Sequence, residues 1–264
     1  MKHLLTLLLH DVYRRDPSES GFSGPGADRY KLTVTEFEAQ LGRLARVLDD
    51  RLAPVPESPP EKRESMPVAV TVDDGGVSYY TTVAERLEAR GWRGYCFVTT
   101  GFVGRPGFLE ARHLRELHAR GHVVGTHSVS HPNRFAACTW EQMMREWTDS
   151  IKALQDILGD DVTTGSVPGG YFSRRVAETA DKAGLKLLFT SEPQTRVRRT
   201  GACQVAGRFT LHAGCRPEFA AELAALQPSA LFREWAAWNG KKVLKRILGS
   251  GYSRLAERMI HGYH

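Results

Sequence analysis

Cysteine is scarce in this sequence: four residues in 264, Cys96, Cys138, Cys203 and Cys215, with no C-x-x-C pair and no framework spacing. A disulfide scaffold and a thiolate zinc knot are thereby excluded, and the four read as buried or free thiols. Excess charge of one sign is lacking too. Thirty-six Lys and Arg stand against 30 Asp and Glu, a net +6, and no dense cationic run dominates the body, so no nucleic-acid partner is expected. Long apolar runs are absent as well, and no segment approaches a membrane span. Leu4-Leu5-Thr6-Leu7-Leu8-Leu9 imitates the core of a secretion signal, but it meets His10-Asp11 directly, with no small-residue cleavage site before Arg14-Arg15-Asp16. It reads as a buried strand, and the chain is expected to work in the cytoplasm. There is no internal repeat and no low-complexity segment.

What is present is a globular composition, 41% hydrophobic and 25% charged, in a chain long enough for one large core. Buried strands are expected at Leu4–Leu9, Val68–Val72, Tyr95–Thr99, Val123–Thr126, Leu185–Thr190 and Gly207–Leu211, with a weaker one at Val162–Ser166. Amphipathic helices alternate with them. Thr35-Glu36-Phe37-Glu38 has the form of a capping box and opens one; Thr139-Trp140-Glu141-Gln142 opens another that ends at Gly159; Ser173 caps a third that stops at Gly184. About seven strand-helix units in this length favour a parallel α/β barrel over an open sheet. The proline-rich stretch from Pro54 to Pro67 is a surface connection.

In such folds the chemistry gathers where strands end. Val68–Val72 runs straight into Asp73-Asp74-Gly75-Gly76. Two adjacent carboxylates repel and must be hydrated or bound, although alone they would equally suit a solvated Asp-Gly turn. Val123–Thr126 ends in His127-Ser128-Val129-Ser130-His131, two imidazoles four positions apart. If a helical turn follows the strand, both lie on one face and can share a cation. Two imidazoles and one carboxylate leave open coordination positions, as in a catalytic metal site.

Thr71-Val72-Asp73-Asp74-Gly75, His127-Ser128-Val129-Ser130-His131 and Ser166-Val167-Pro168-Gly169-Gly170 stand in the order and spacing of the polysaccharide deacetylase family, the NodB-homology fold of carbohydrate esterase family 4. The resemblance runs from about Leu4 to about Gly214, and Leu9-His10-Asp11-Val12 is similar to the amino-terminal motif of the exopolysaccharide-associated branch. It implies a distorted (β/α)7 barrel, placed here over residues 1–215, and the change of character from Phe232 onward reads as a helical, basic amphipathic extension over 216–264. The resemblance also implies metal-dependent removal of an N-acetyl group from amino sugars. Asp73 would then be the general base, and Asp74, His127 and His131 the ligands of a divalent metal, zinc by the donor set, with cobalt, nickel or iron also fitting. The Pro168-Gly169 turn would offer an N–H to the oxyanion and Tyr171 would meet the sugar. His10, positioned by its neighbour Asp11, would be the general acid, with His212 the alternative. The arginine that the family commonly carries before the proline motif is Ser166 here. Arg208 could supply its contact to the base, and otherwise reads as an exposed or carboxylate-paired arginine.

Around these residues, Glu192 suits either the groove or a solvated loop. His113, His118 and His122 read as surface or packing residues, Trp140 and Trp147 as core, and Arg196, Arg198 and Arg199 as a solvated basic loop. The segment from Phe232 to Leu248 mixes Trp235 and Trp238 with Lys241, Lys242, Lys245 and Arg246. It packs on the barrel flank or against a partner, or lies on an anionic membrane surface. Two further readings stand beside the exopolysaccharide or cell-surface glycan deacetylase. One is a deacetylase or deformylase of a lipid-linked or activated amino sugar at the cytoplasmic membrane face. The other is a non-catalytic glycan-binding protein on a decayed barrel.

Overall fold

The computed structural model describes residues 2–48, 66–170 and 172–248, with side chains to residue 240. The proline-rich connection up to Ser65, and Tyr171, lie outside the described residues. Eleven strands are described: β1 (Leu5–Leu9), β2 (Val12–Tyr13), β3 (Leu32–Thr33), β4 (Val68–Val72), β5 (Tyr95–Val98), β6 (Val123–Thr126), β7 (Thr164–Ser166), β8 (Leu187–Phe189), β9 (Arg198–Thr200), β10 (Cys203–Ala206) and β11 (Phe209–Thr210). Nine form one sheet in the order β11-β1-β4-β5-β6-β7-β8-β10-β9, and β2 pairs with β3 apart from it. Every neighbour in the large sheet is parallel except β9, which runs antiparallel to β10.

The sheet curls on itself. β10 and β11 are two halves of one bent course: the first pairs with β8 and, after Gly207 and Arg208, the second pairs with β1. At the opposite end of β1, Leu4 N donates to Thr195 O at 2.8 Å and Val197 N to Lys2 O at 3.0 Å, a second seam. Counting the bent course once gives seven barrel strands, the distorted (β/α) barrel expected. The apolar run at the amino end is a central strand of it.

Alternation along the strands separates two cores. Val68, Val70 and Val72 point outward to the large cluster beneath the helices, with Leu5, Leu7 and Leu9. Ala69 points inward, where it meets Leu4, Tyr95, Phe97, Leu187, Phe189 and Ala206 in the barrel's own core. Gly125 of β6 faces the same interior, where a Cβ would come within 2.7 Å of the Phe97 ring. The outer helices behave as their sequences direct. In Trp140–Leu158, Thr139 and Gln142 cap one another and Gly159 ends the helix at φ 71°. Its Trp147 is wholly buried against Phe135, centroids 4.5 Å apart. The segment after Cys215 extends the same outer core: Gln40 bonds both Arg216 O and Ala220 N, and Phe219, Leu223 and Ala230 are buried.

Two expectations are corrected, and one strand is added. The first helix, Val34–Leu48, is capped two residues earlier, by Thr33 and Glu36: Glu36 N donates to Thr33 Oγ1 at 3.1 Å while Thr33 N donates to Glu36 Oε2 at 2.8 Å. Arg198 and Arg199 belong to an edge strand, not a loop. Cys203–Ala206 is a strand that its short, polar-interrupted pattern conceals.

Candidate active site

The two carboxylates leave β4 in different directions. Asp73 N donates to Leu9 O at 3.0 Å, prolonging the β1–β4 ladder, so its side chain follows Ala69 and Thr71 into the barrel. Asp74 then turns through φ 77° and Gly75 through φ 82°. A side chain at Gly75 would press to within 3.2 Å of Val98 Cα. A left-handed conformation is costly for a non-glycine residue and persists where the surroundings impose it. Here the turn swings the second carboxylate to the barrel mouth.

His127 follows Gly125 inward from β6. The segment beyond it is not the helical turn expected from the spacing. Ser128 (φ 67°) and His131 (φ 54°) make a bent loop, closed by Ser128 N to Thr126 Oγ1 at 3.0 Å and His131 N to Ser128 Oγ at 3.1 Å. Glu146 clamps it from the neighbouring helix, accepting Val129 N at 2.8 Å and Ser130 N at 2.9 Å. The loop delivers what a helix would have: the rings of His127 and His131 lie 5.0 Å apart.

Asp74 Oδ1 sits 3.5 Å from His127 Nε2 and 3.4 Å from His131 Nε2. One donor atom from each of the three residues lies within 4.8 Å of the others. Asp74 Oδ1 is buried without a hydrogen bond. His127 gives its Nδ1–H to Ser166 O at 3.0 Å, which fixes the tautomer and aims the Nε2 lone pair at the cluster. Burial lowers His127 to about 3 and depresses His131. Burial, together with the negative charges of Asp73 and Asp11, raises Asp74 well above the carboxylate range. Two converging imidazole lone pairs and a carboxylate in want of positive charge are the donor set of a divalent cation, so the residues fit one.

Asp73 is held differently. Arg208, fully buried, donates Nη1 to Asp73 Oδ1 at 2.7 Å and Nη2 to Asp73 Oδ2 at 2.8 Å, a two-pronged pair. Ser166 Oγ also reaches Asp73 Oδ2 at 3.0 Å, and Arg208 is itself fixed by Thr190 O at 3.0 Å. Burial would raise the Asp73 carboxyl, but Arg208, His127 and His10 overcome it and hold the group well below the usual range. An arginine from the far end of the chain thus occupies the place beside Ser166, and the carboxylate-paired reading and the base-tuning reading of Arg208 are one and the same.

A cavity of about 720 Å³ opens over the cluster, with Asp73, Asp74, His127, His131, His10 and Gly169 in its wall. His10 lines it with Nδ1 buried and unbonded, and burial lowers the ring to about 4. Asp11 does not position it. His10 and Asp11 lie between β1 and β2, and Asp11 turns away to accept Ser20 Oγ at 2.6 Å and Ser78 Oγ at 2.7 Å. Those bonds pin the segment before β3, for which the sequence offered no role. A Cβ on either Gly21 or Gly76 would fall 1.9 Å from an Asp11 oxygen, and Lys31 ties the same segment through Ser20 O at 2.8 Å. The pinned segment brings Phe22 against His131 at 5.1 Å and Tyr30 over His10 at 5.1 Å. Phe22, Tyr30, Phe172 and Trp238 give the cavity an aromatic rim that the sequence reading missed. Glu192 also lines it, whereas Pro168 is buried behind Gly169. His212 is not in the cavity wall, and its Nδ1 bonds Ala213 O at 2.8 Å. Of the other histidines, His122 is buried, His113 stacks on Tyr80 at 4.3 Å and His118 meets Asp160 at 3.2 Å.

The polysaccharide deacetylase family model matches residues 61–188. An uncharacterised 30.6 kDa protein of Geobacillus stearothermophilus is 27% identical over 134 residues, which are 50% of this chain and 48% of that protein. The chain therefore matches about half the length of that relative. Among solved structures, a Streptococcus pyogenes deacetylase in complex with acetate aligns at 18% identity over 82% of this chain and 95% of its own, with TM-score 0.66. IcaB from Ammonifex degensii aligns at 24% identity over 85% and 97%, TM-score 0.63. A polysaccharide deacetylase from Bacillus cereus aligns at 17% identity over 84% and 69%, TM-score 0.67. At these identities the solved structures establish the common fold alone. Asp73, Asp74, His127, His131 and Ser166 fall inside the matched residues, while His10 and Arg208 fall outside them, and over residues 61–188 the chain is similar to the polysaccharide deacetylase family.

Proposed function

We propose that this protein is a metal-dependent hydrolase that removes the N-acetyl group from amino sugars of an exopolysaccharide or cell-surface glycan. The observation that carries the reading is the juxtaposition of two differently prepared carboxylates. Asp74 joins His127 and His131 in a cation-shaped cluster, while Asp73 is excluded from that trio by its bond to Arg208. A divalent cation, when bound, supplies polarisation of the amide carbonyl and of a water. Asp73, kept ionised, accepts the proton of the attacking water. Gly169 offers its N–H at the cavity wall to the developing oxyanion. His10 gives the departing nitrogen its proton. Neutral at rest, it relays the proton that Asp73 has taken from the water, so that the amide C–N bond breaks as the amine N–H forms and Asp73 returns to its ionised state. The aromatic rim supplies flat apolar faces to a sugar ring.

A second reading keeps the chemistry and changes the substrate to a lipid-linked or activated amino sugar. Trp238 favours it, because a residue of the basic carboxyl-terminal helix stands in the cavity wall. The test is release of acetate or formate, with the matching free amine, from a panel of soluble N-acylated glucosamine oligomers and lipid-linked amino sugars after metal reconstitution. Asp73→Asn is expected to lower turnover by about 10²–10⁴-fold, the scale of a lost general base, while retaining its metal. His127→Ala should lose both metal and turnover. Glycan binding without amine release by the metal-loaded protein would support a non-catalytic barrel and overturn the reading.

A further inference from the structure

We propose that the helix Pro228–Leu248 docks this protein on an anionic lipid surface, with Phe232 and Trp235 entering the interface beside the mouth of the catalytic cavity. Among the described residues, the large hydrophobic side chains left exposed are Tyr30, Phe232 and Trp235, the last two 64% and 55% exposed. Phe232 and Trp235 stack on each other with centroids 5.9 Å apart, three positions apart on one helix, so they form a single apolar ridge. Isolated exposed aromatics need no explanation, but a paired ridge on a helix that buries Ala230 and sets Trp238 in the cavity wall calls for an occupant.

Charge identifies that occupant. From Trp235 to Ala256 the sequence holds no Asp or Glu and five cations, Lys241, Lys242, Lys245, Arg246 and Arg254. At 100° per residue, positions 242 and 246 recur on the side of the helix that carries 232 and 235. Arg233, by contrast, is committed to Glu222 at 3.0 Å. An aromatic ridge continuing into a cationic stretch is the composition of a helix lying at an anionic bilayer interface. No described helix is long and apolar enough to cross a membrane, which leaves lying upon it. The position of the ridge gives docking a consequence. Trp238, three residues beyond Trp235, lines the cavity, and so does exposed Tyr30. A docked helix therefore holds the cavity mouth at the lipid headgroups. Docking itself does not depend on the hydrolase reading; only its bearing on a membrane-held substrate does.

The experiment uses the full chain and sedimentation with vesicles of phosphatidylcholine alone or with added phosphatidylglycerol. The protein is expected to sediment with the anionic vesicles, to remain free of the neutral ones, and to be released as salt rises. The double variant Phe232→Ser/Trp235→Ser should partition at least about tenfold less, as befits the loss of two interfacial aromatics. Its unfolding temperature and its amine release from a soluble N-acetylated oligomer should stay unchanged. Replacing Lys241, Lys242, Lys245 and Arg246 by Gln should abolish the salt-sensitive part. Failure of the wild type to bind anionic vesicles, or equal binding by the double variant, overturns the proposal. So does a concentration-dependent dimer that the double variant dissolves, since a second copy would then cover the ridge. Loss of amine release in the wild type would instead count against the catalytic reading alone.

Discussion

Arg208 decides how Asp73 behaves, and the consequence is measurable. A buried carboxylate gripped by a guanidinium stays ionised far into acid, because the guanidinium's charge and its paired hydrogen bonds outweigh the burial that would otherwise raise it. Lysine keeps the charge but loses the fork. Arg208→Lys is therefore expected to lower kcat/KM at least about tenfold. It should also move the acid limb of the pH profile upward, because Asp73 is less well stabilised and protonates at higher pH. An acid limb unchanged from wild type would show that Asp73 does not set it. The two candidate acids separate at the same scale. His10 lines the cavity and His212 is tied to Ala213 O outside it, so His10→Ala should cost about 10²–10⁴-fold in turnover and His212→Ala almost none. Equal losses in a pH series of both variants would remove His10 from its role. Asp11, adjacent to His10 in sequence, is no partner of it in space.

At the scale of elements, the strand ends were the legible part. An apolar run followed by Asp73-Asp74, and another followed by His127, mark where a parallel strand stops, and period-two alternation fixes which side chain turns inward. The loop after His127 was not legible. Its two positive φ angles fall on a serine and a histidine, residues without the glycine signal of such a turn. The segment holding Phe22 and Tyr30 was missed for a related reason: it has no periodicity and is ordered by a buried carboxylate, two serines and a lysine. Helix and strand also meet away from the site, around His122. This ring accepts Tyr79 OH at 2.8 Å and Gly94 N at 3.3 Å on Nδ1, and its Nε2 faces Glu88 at 3.0 Å. Burial lowers its pKa, with Glu88 opposing. Above pH 6.5 the ring is neutral folded or unfolded, and its contribution to stability is fully present. As pH falls from there toward the folded pKa, the unfolded chain takes up the proton first and stability drops. The most this can amount to by pH 5 is about 2 kcal/mol. His122→Gln, compared with wild type in metal-free buffer, should be less stable at pH 7 yet lose less on going to pH 5. The buried site histidines contribute the same sign to both proteins, so parallel losses would assign the whole acid effect to them.

For the whole molecule, the seam where the sheet closes on itself is also the place where the site is completed. Seven strands could be anticipated from the rhythm of apolar runs, and Arg208 could be named as a candidate partner of the base, but what carries it to Asp73 across 135 positions could not be read from the sequence. That contact exists only once β10 has left β8 and β11 has joined β1. Gly207 is the residue on which this turns. A Cβ there would stand 2.2 Å from Glu192 O and 2.4 Å from Gln194 Cγ, while the next residue's N–H bonds Glu192 O at 2.9 Å. The backbone contact cannot be relieved by a rotamer change, so Gly207→Ala must push the 192–194 segment or the bend itself outward. Overpacking of this kind costs about 1–3 kcal/mol. Displacement at Gly207 carries Arg208 with it. The variant should therefore lose activity beyond what its unfolded fraction explains, and its kcat/KM should show the same upward shift of the acid limb as Arg208→Lys. A variant that is merely less stable, with a wild-type pH profile while folded, would mean that the seam and the site are independent. The same acid-limb shift in both would mean that closing the barrel is what sets the charge of Asp73.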